Sequence, residues 1–160
     1  MVGNSAYQHV PRLANPSNDA RLIAKTLQTL GFVIVGDGPQ IDLDKTAFDK
    51  TIKLFGDKLS GVSVALFYYA SHGIQVHGDN FLVPISAELG RDADASVEMV
   101  NVQSVLDQMH DENARLNVVI LDACRNNPFR GLSRDVSSGL GEMKPHQGVR
   151  SSSIPRRRAR

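Results

Sequence analysis

Two short apolar runs constrain this chain more than anything else in it. The first, Val62-Ser63-Val64-Ala65-Leu66-Phe67-Tyr68-Tyr69-Ala70, leads into Ser71-His72-Gly73. The second, Leu116-Asn117-Val118-Val119-Ile120-Leu121, leads into Asp122-Ala123-Cys124-Arg125. Both are rich in β-branched or aromatic residues and too short for a membrane span, so each predicts a buried strand of a parallel sheet. An open α/β sheet presents its ligands just beyond the carboxyl ends of its strands, where His72 and Cys124 fall. A thiol needs a nearby base to become a thiolate near neutral pH, and imidazole is the usual one. Residues 52 apart in the chain thus form a candidate base and nucleophile.

The bulk numbers agree with one ordinary globular domain. At 160 residues, with 41% hydrophobic and 22% charged, the chain is long enough for a single core. One cysteine excludes an internal disulfide, and no leader-like or membrane-length apolar run is seen, so the expected address is cytoplasmic, without a membrane partner. The net charge of +1 hides an asymmetry, because residues 149–160 hold five arginines and no acid. Such a tail can touch an anionic surface, but its composition favours a solvated segment and no specific nucleic-acid partner. The organisation read from this is a catalytic domain over 1–130 and a partly disordered basic tail over 131–160.

Local patterns supply the intervening elements. Asn15 caps a first helix with Pro16 at its first position, a stripe of Leu22, Ile23, Leu27 and Leu30, and Gly31 at its end. Phe32-Val33-Ile34-Val35 reads as a short strand. A second helix runs from about Asp44 to Leu59 on Phe48, Ile52, Phe55 and Leu59. Residues 73–84 read as a hairpin turning at His77-Gly78-Asp79-Asn80. The stretch from Glu88 to Glu98 is polar and aperiodic. A third helix begins near Asn101, with Val102, Val105, Leu106 and Met109 on one face. Strand and helix in alternation mean βαβ crossovers, and so an α/β fold: an open, mostly parallel sheet flanked by helices on both faces. From Asn126 onward Gly, Ser, Arg and Pro accumulate and periodicity is lost.

At the strand ends, a small residue sits beside each candidate. Gly73 would let a substrate approach the backbone closely, and Ala123 would keep the way to Cys124 clear. The N–H groups of Gly73 and Cys124 are natural oxyanion donors there. The match of Cys124 through Arg130 to a Cys-x5-Arg phosphatase loop is accidental, since Pro128 has no N–H, Phe129 is bulky and no glycine relaxes the loop. His72 and His77 with a single thiol do not make a zinc site. Glu88, Asp92 and Asp94 lack the fixed loop of a calcium site. No cofactor or metal is expected.

The chain resembles the caspase-like cysteine peptidases, in particular bacterial members related to metacaspases and paracaspases. Carrying the likeness are Gly3-Asn4-Ser5-Ala6-Tyr7, Leu13 through Ala20, Tyr69 through Gln75, Asn80-Phe81-Leu82-Val83-Pro84 and Asp122 through Asn126. The known caspase signature likewise sets histidine about 50 residues before a cysteine in an Ala-Cys-Arg-like setting. The resemblance covers residues 3–130, the part similar to a large subunit. It implies a dyad of His72 and Cys124, and a pocket lined by Asp19 and Asp122 for the residue before the scissile bond. Two carboxylates at one cleft favour arginine or lysine. Read alone, Asp19 is a favourable charge in a helix's first turn and Asp122 a turn residue. The partner implied is a protein or peptide substrate, and calcium activation and a complementary chain or dimer partner stay open.

Two departures from that pattern stand out. Only Met1-Val2 precedes Gly3-Asn4, where relatives have a full first strand. After Gly139-Leu140-Gly141-Glu142-Met143, which matches a Gly-Leu-x-x-Met segment, the chain continues into Pro155 and arginines that cannot form a buried strand. The sheet is therefore expected to be incomplete at both ends. The alternative to an endopeptidase is a non-catalytic remnant of the fold or an interaction module. Arg130 and Arg134 are candidate self-cleavage sites.

Overall fold

A computed structural model describes residues 1–111, 114–124, 127–129, 132 and 136–143. Along the chain run β1 (Val2–Gly3), α1 (Pro16–Thr29), β2 (Gln40–Ile41), α2 (Lys45–Asp57), β3 (Val64–Val76) and β4 (Asp79–Leu82). A 3-10 turn at Asp92–Asp94 leads to α3 (Ala95–Glu98), β5 (Val100–Asn101), α4 (Val102–Asp111), β6 (Leu116–Cys124) and β7 (Val136–Ser138).

The sheet is built on β3, which changes partners midway. From Val64 to His72 it pairs in parallel with β6, ending in the register pair His72 with Cys124. On its other edge β1 pairs in parallel with Tyr69 and Ala70, and β2 extends the sheet beyond β1. From Gly73 onward the partners are antiparallel, β4 on one edge and β7 on the other, with β5 beside β4. The second run therefore continues as strand three residues past Leu121, and the first runs unbroken past Ala70 into the hairpin arm ending at Val76, because residues 71–73 and 122–124 find ladder partners that no local pattern announces. His77 and Gly78 both take positive φ, 50° and 89°, and turn β3 into β4, as a two-residue hairpin of right-handed twist requires.

Helices cover both faces of the parallel half. Phe67 and Tyr69 face the core built with Phe48, Ile52 and Phe55 of α2 and Val105 and Met109 of α4. Tyr68 and Ala70, on the alternate phase, pack with Ala20 of α1. A further cluster of Ile74, Val76, Phe81, Val83 and Met99 underlies the antiparallel half. The α2 and α4 stripes are as the sequence predicts, and Asp44 caps α2 by accepting from the Ala47 N–H at 2.8 Å.

Two expectations change. The buried face of α1 is Pro16, Ala20 and Ala24, whereas Leu22 and Leu30 are 64% and 69% exposed. The helix sits too close to the sheet for leucines, and Asn15 caps it without a side-chain hydrogen bond. Phe32–Val35 is not a strand, because the register of β1 takes Gln40 and Ile41 as its neighbours and leaves nothing described opposite Phe32–Val35. Within the segment expected to be tail, Val136–Ser138 forms β7, three residues too short to show an alternation. The arginine-rich residues 144–160 lie outside the described residues, as do Arg130 and Arg134.

The close approach of α1 depends on Gly3. A Cβ there would meet the Pro16 carbonyl oxygen at 2.5 Å and the Ala20 Cβ at 2.7 Å. Gly3→Ala should therefore lower the unfolding free energy by about 1–3 kcal/mol, the usual cost of overpacking, as a reduced midpoint in urea. An unchanged midpoint would show that α1 can move away freely.

Candidate active site

His72 is the last residue of the parallel ladder and stands at the seam where β3 changes partners. Its phase in the pleat is that of Tyr68 and Ala70, on the α1 side of the sheet. The side chain is only 4% exposed. Its Nε2 lies 3.0 Å from the Pro11 carbonyl oxygen, and a carbonyl only accepts, so Nε2 carries the hydrogen. In the neutral ring Nδ1 then holds a bare lone pair. Nδ1 is buried and has no hydrogen-bond partner among the described residues. Burial pulls the imidazole below its ordinary pKa, with the Pro11 hydrogen bond opposing more weakly. The ring is held neutral and in one tautomer, with Nδ1 unpartnered among the described residues.

The connection between β1 and α1 supplies the groups that hold this ring. Tyr7 lies against it with ring centroids 4.8 Å apart. Ser71 Oγ donates to the Asn4 carbonyl, and the Tyr7 hydroxyl shares its one hydrogen between Ser71 Oγ and the Val83 carbonyl 3.0 Å away. The connection itself is tied down by Asp42, whose Oδ1 accepts from the N–H groups of Ser5 and Ala6 at 2.7 and 2.8 Å. Asn4 is fully buried and bridges the ends of β1, β2 and β4: its Oδ1 accepts from Leu43 N–H at 2.9 Å and its Nδ2 donates to Val83 O at 3.1 Å. Tyr7 and Pro11 are functional residues that sequence reasoning missed. The Tyr7 in Gly3-Asn4-Ser5-Ala6-Tyr7 was a signal of the resemblance alone, and Pro11 contributes only a backbone carbonyl.

Cys124 is the register partner of His72, which sets their Cα atoms on neighbouring strands, spaced about 4.7–4.9 Å. At Gly73 the place of the missing side chain is taken by neighbouring side chains. A Cβ there would lie 2.8 Å from Leu140 Cδ2 and 3.1 Å from Ala123 Cβ, so the space is already filled by packing. Its N–H is directed away from β4: the Val83 N–H donates to the His72 carbonyl at 3.2 Å, which makes Gly73 and Leu82 a non-hydrogen-bonded pair. That N–H therefore faces the edge on which β6 ends.

Asp19 and Asp122 both lie within electrostatic reach of Tyr68. Asp19 is half-buried in the first turn of α1, and Asp122 is exposed on β6 opposite Ala70. The Tyr68 phenol is pushed up to about 12, by burial first and then by the charges of Asp122 and Asp19. Both carboxylates thus act on Tyr68, four residues before His72 on β3, and Asp122 lies two residues before Cys124 on β6. A larger apolar cavity of about 880 Å³, lined by Leu27, Phe32–Val35, Phe55 and Val64–Leu66, lies at the opposite end of β3 and is no part of this site. Among the described residues no cluster of three metal-ligating side chains occurs, and no helix is long and apolar enough to cross a membrane.

The caspase domain family of the C14 peptidases matches residues 1–157. The chain belongs to that family. Over 125 residues, 78% of its length, it is 30% identical to human mucosa-associated lymphoid tissue lymphoma translocation protein 1, and equally to the Mus musculus homolog. It spans 14% of the length of those relatives. Membership makes this caspase-family domain a hydrolase of cysteine-peptidase type, on the mixed α/β sheet expected of it.

Neutral burial of His72 has a consequence for stability. The unfolded chain takes up a proton near the ordinary histidine value of about 6.5, whereas the folded chain resists it, so the unfolded state binds more protons as pH falls. The contribution of His72 is whole above that pH and is lost as pH falls through the lower folded-state value. Urea unfolding of wild type and His72→Asn between about pH 7.5 and 5 should show the steeper acid loss in wild type. Parallel curves would contradict a neutral buried ring.

Proposed function

We propose that this domain is an endopeptidase that cuts after arginine or lysine with Cys124 as nucleophile and His72 as base. The observation that carries this is the buried, unpartnered Nδ1 of His72 on the residue paired in register with Cys124. The Nδ1 lone pair takes the thiol proton, and the thiolate adds to the scissile carbonyl carbon. The resulting imidazolium gives the proton to the leaving amine as the C–N bond breaks, leaving a thioester on Cys124. Water, deprotonated by the same ring, then hydrolyses the thioester and restores the thiol. The Pro11 carbonyl keeps the ring in the tautomer that this cycle needs and stabilises the imidazolium. The N–H groups of Gly73 and Cys124 serve as oxyanion donors at the last rung of the β3–β6 ladder.

Substrate choice follows from charge. Asp19 and Asp122 converge near Tyr68 on the α1 face, a few residues from the dyad, and would receive a guanidinium or ammonium on the residue before the cut bond. The partner is accordingly an extended peptide with a basic residue at that position.

A peptide with arginine before a fluorogenic leaving group should be cleaved, and its aspartate counterpart should not. Cys124→Ala should abolish turnover, and equal turnover by that variant would rule the mechanism out. A folded chain with no turnover and an unreactive Cys124 would favour the reading as an interaction module. Asp19→Asn and Asp122→Asn should each lower kcat/KM for the arginine peptide by roughly tenfold or more, as loss of a charge-assisted hydrogen bond implies. A variant in either position that keeps the full preference for arginine would remove that residue from the pocket.

A further inference from the structure

Beyond β7 the chain turns at Gly139, at a φ of 77°, and lays Leu140 and Gly141 against the β3–β4 hairpin. Three independent fits hold it there. Asn80, only 7% exposed, grips Gly141 at two points: its Oδ1 accepts from the Gly141 N–H at 2.8 Å and its Nδ2 donates to the Gly141 carbonyl at 3.1 Å. The side-chain amide of Gln75 lies against Gly141 where a Cβ would stand, so the glycine lets that amide close over the segment. Leu140 fills the space that a Gly73 side chain would take, where the Ala123 methyl also points.

Those last two contacts concern the neighbours of the proposed dyad. Gly73 follows His72, and Ala123 precedes Cys124. Here β3 passes from β6 to other partners, and His72 with Cys124 is the last pair of the parallel ladder among the described residues. Leu140 sits under both strand ends, on the face opposite His72, where it packs with the α2 and α4 core.

We propose that Asn80 is a positioning residue: its two-point hold on Gly141 seats Leu140 beneath Gly73 and Ala123, and so fixes the spacing of the strand ends that carry His72 and Cys124. This rests on the reading of His72 as base and Cys124 as nucleophile. Asn80 touches neither residue and no reacting atom. Its effect is transmitted through one segment, so loss of the grip and loss of the Leu140 side chain are the same lesion.

The test is the rate of alkylation of Cys124, the chain's only cysteine, by iodoacetamide across pH, alongside the urea midpoint of each full-length variant. Asn80→Ala should slow alkylation at pH 7 by roughly tenfold to a hundredfold, as for a misplaced reacting pair, and move the midpoint of the pH profile up towards that of an unassisted thiol. Asn80→Asp keeps an acceptor for the Gly141 N–H and should recover part of the rate. Leu140→Ala should reproduce the change, and the double variant Asn80→Ala with Leu140→Ala should add nothing further. A folded Asn80→Ala with the wild-type rate and pH midpoint overturns the proposal, whatever happens to its urea midpoint. If Asn80→Ala does not fold, Leu140→Ala decides by the same criterion. His72→Ala separates the two levels: a profile that it leaves unchanged defeats the dyad, whereas a profile that it alters while the Asn80 and Leu140 variants do not defeats only the positioning role.

Discussion

The change of partner along β3 is the constraint from which the site follows. One continuous strand belongs to a parallel sheet as far as His72 and to an antiparallel one from Gly73. A parallel ladder needs both strands extended to its last pair, so β6 is carried out to Cys124 by its bonds to β3. The consequence is a fixed neighbour relation between residues 52 apart in sequence, set by backbone hydrogen bonds and independent of any loop. A site mounted on strand ends is held more tightly than one mounted on connections.

The remainder of the site hangs on that seam from the β1–α1 connection. Gly3 lets α1 settle close to the sheet, Asn4 locks three strand ends together, and Asp42 pins the turn that brings Tyr7 and Pro11 over His72. These groups exclude water from the imidazole while satisfying only one of its nitrogens. Desolvation without a partner keeps the ring neutral, and a neutral ring is what a base for a thiol must be. The same proximity of α1 brings Asp19 within electrostatic reach of Tyr68 and thus near Asp122.

The legibility of this arrangement in the sequence follows the range of the interactions involved. The stripes of α2 and α4, the start of α2 near Asp44 and the His77-Gly78 turn are local, and each was readable. The strand at Phe32–Val35 was misread because strand formation needs a partner in register, and that register is a property of β1. The face of α1 was misread because leucines at helical spacing outweigh alanines in any apolar pattern, while the steric fact that decides the matter, the bare Gly3, lies outside the helix. His72 and Cys124 stood out because each closes a conspicuous apolar run. Pro11 contributes a carbonyl, which every residue owns, and Asn80 and Leu140 meet only through the fold, so none of the three carried a chemical signal. Gly73 was noticed as a place where a backbone could be approached closely, and the group that packs there among the described residues is Leu140, which no local pattern announces.

The central claim is that His72 stands neutral with its hydrogen on Nε2, held by Pro11, and that its Nδ1 is the proposed base for Cys124. Nitrogen-15 NMR of the imidazole at neutral pH tests it without any substrate. The account predicts the Nε2–H tautomer, and an Nδ1 resonance that moves when Cys124 is replaced by alanine while Nε2, bound to Pro11, stays in place. A ring protonated on Nδ1, or an Nδ1 resonance indifferent to the loss of the thiol, would contradict it.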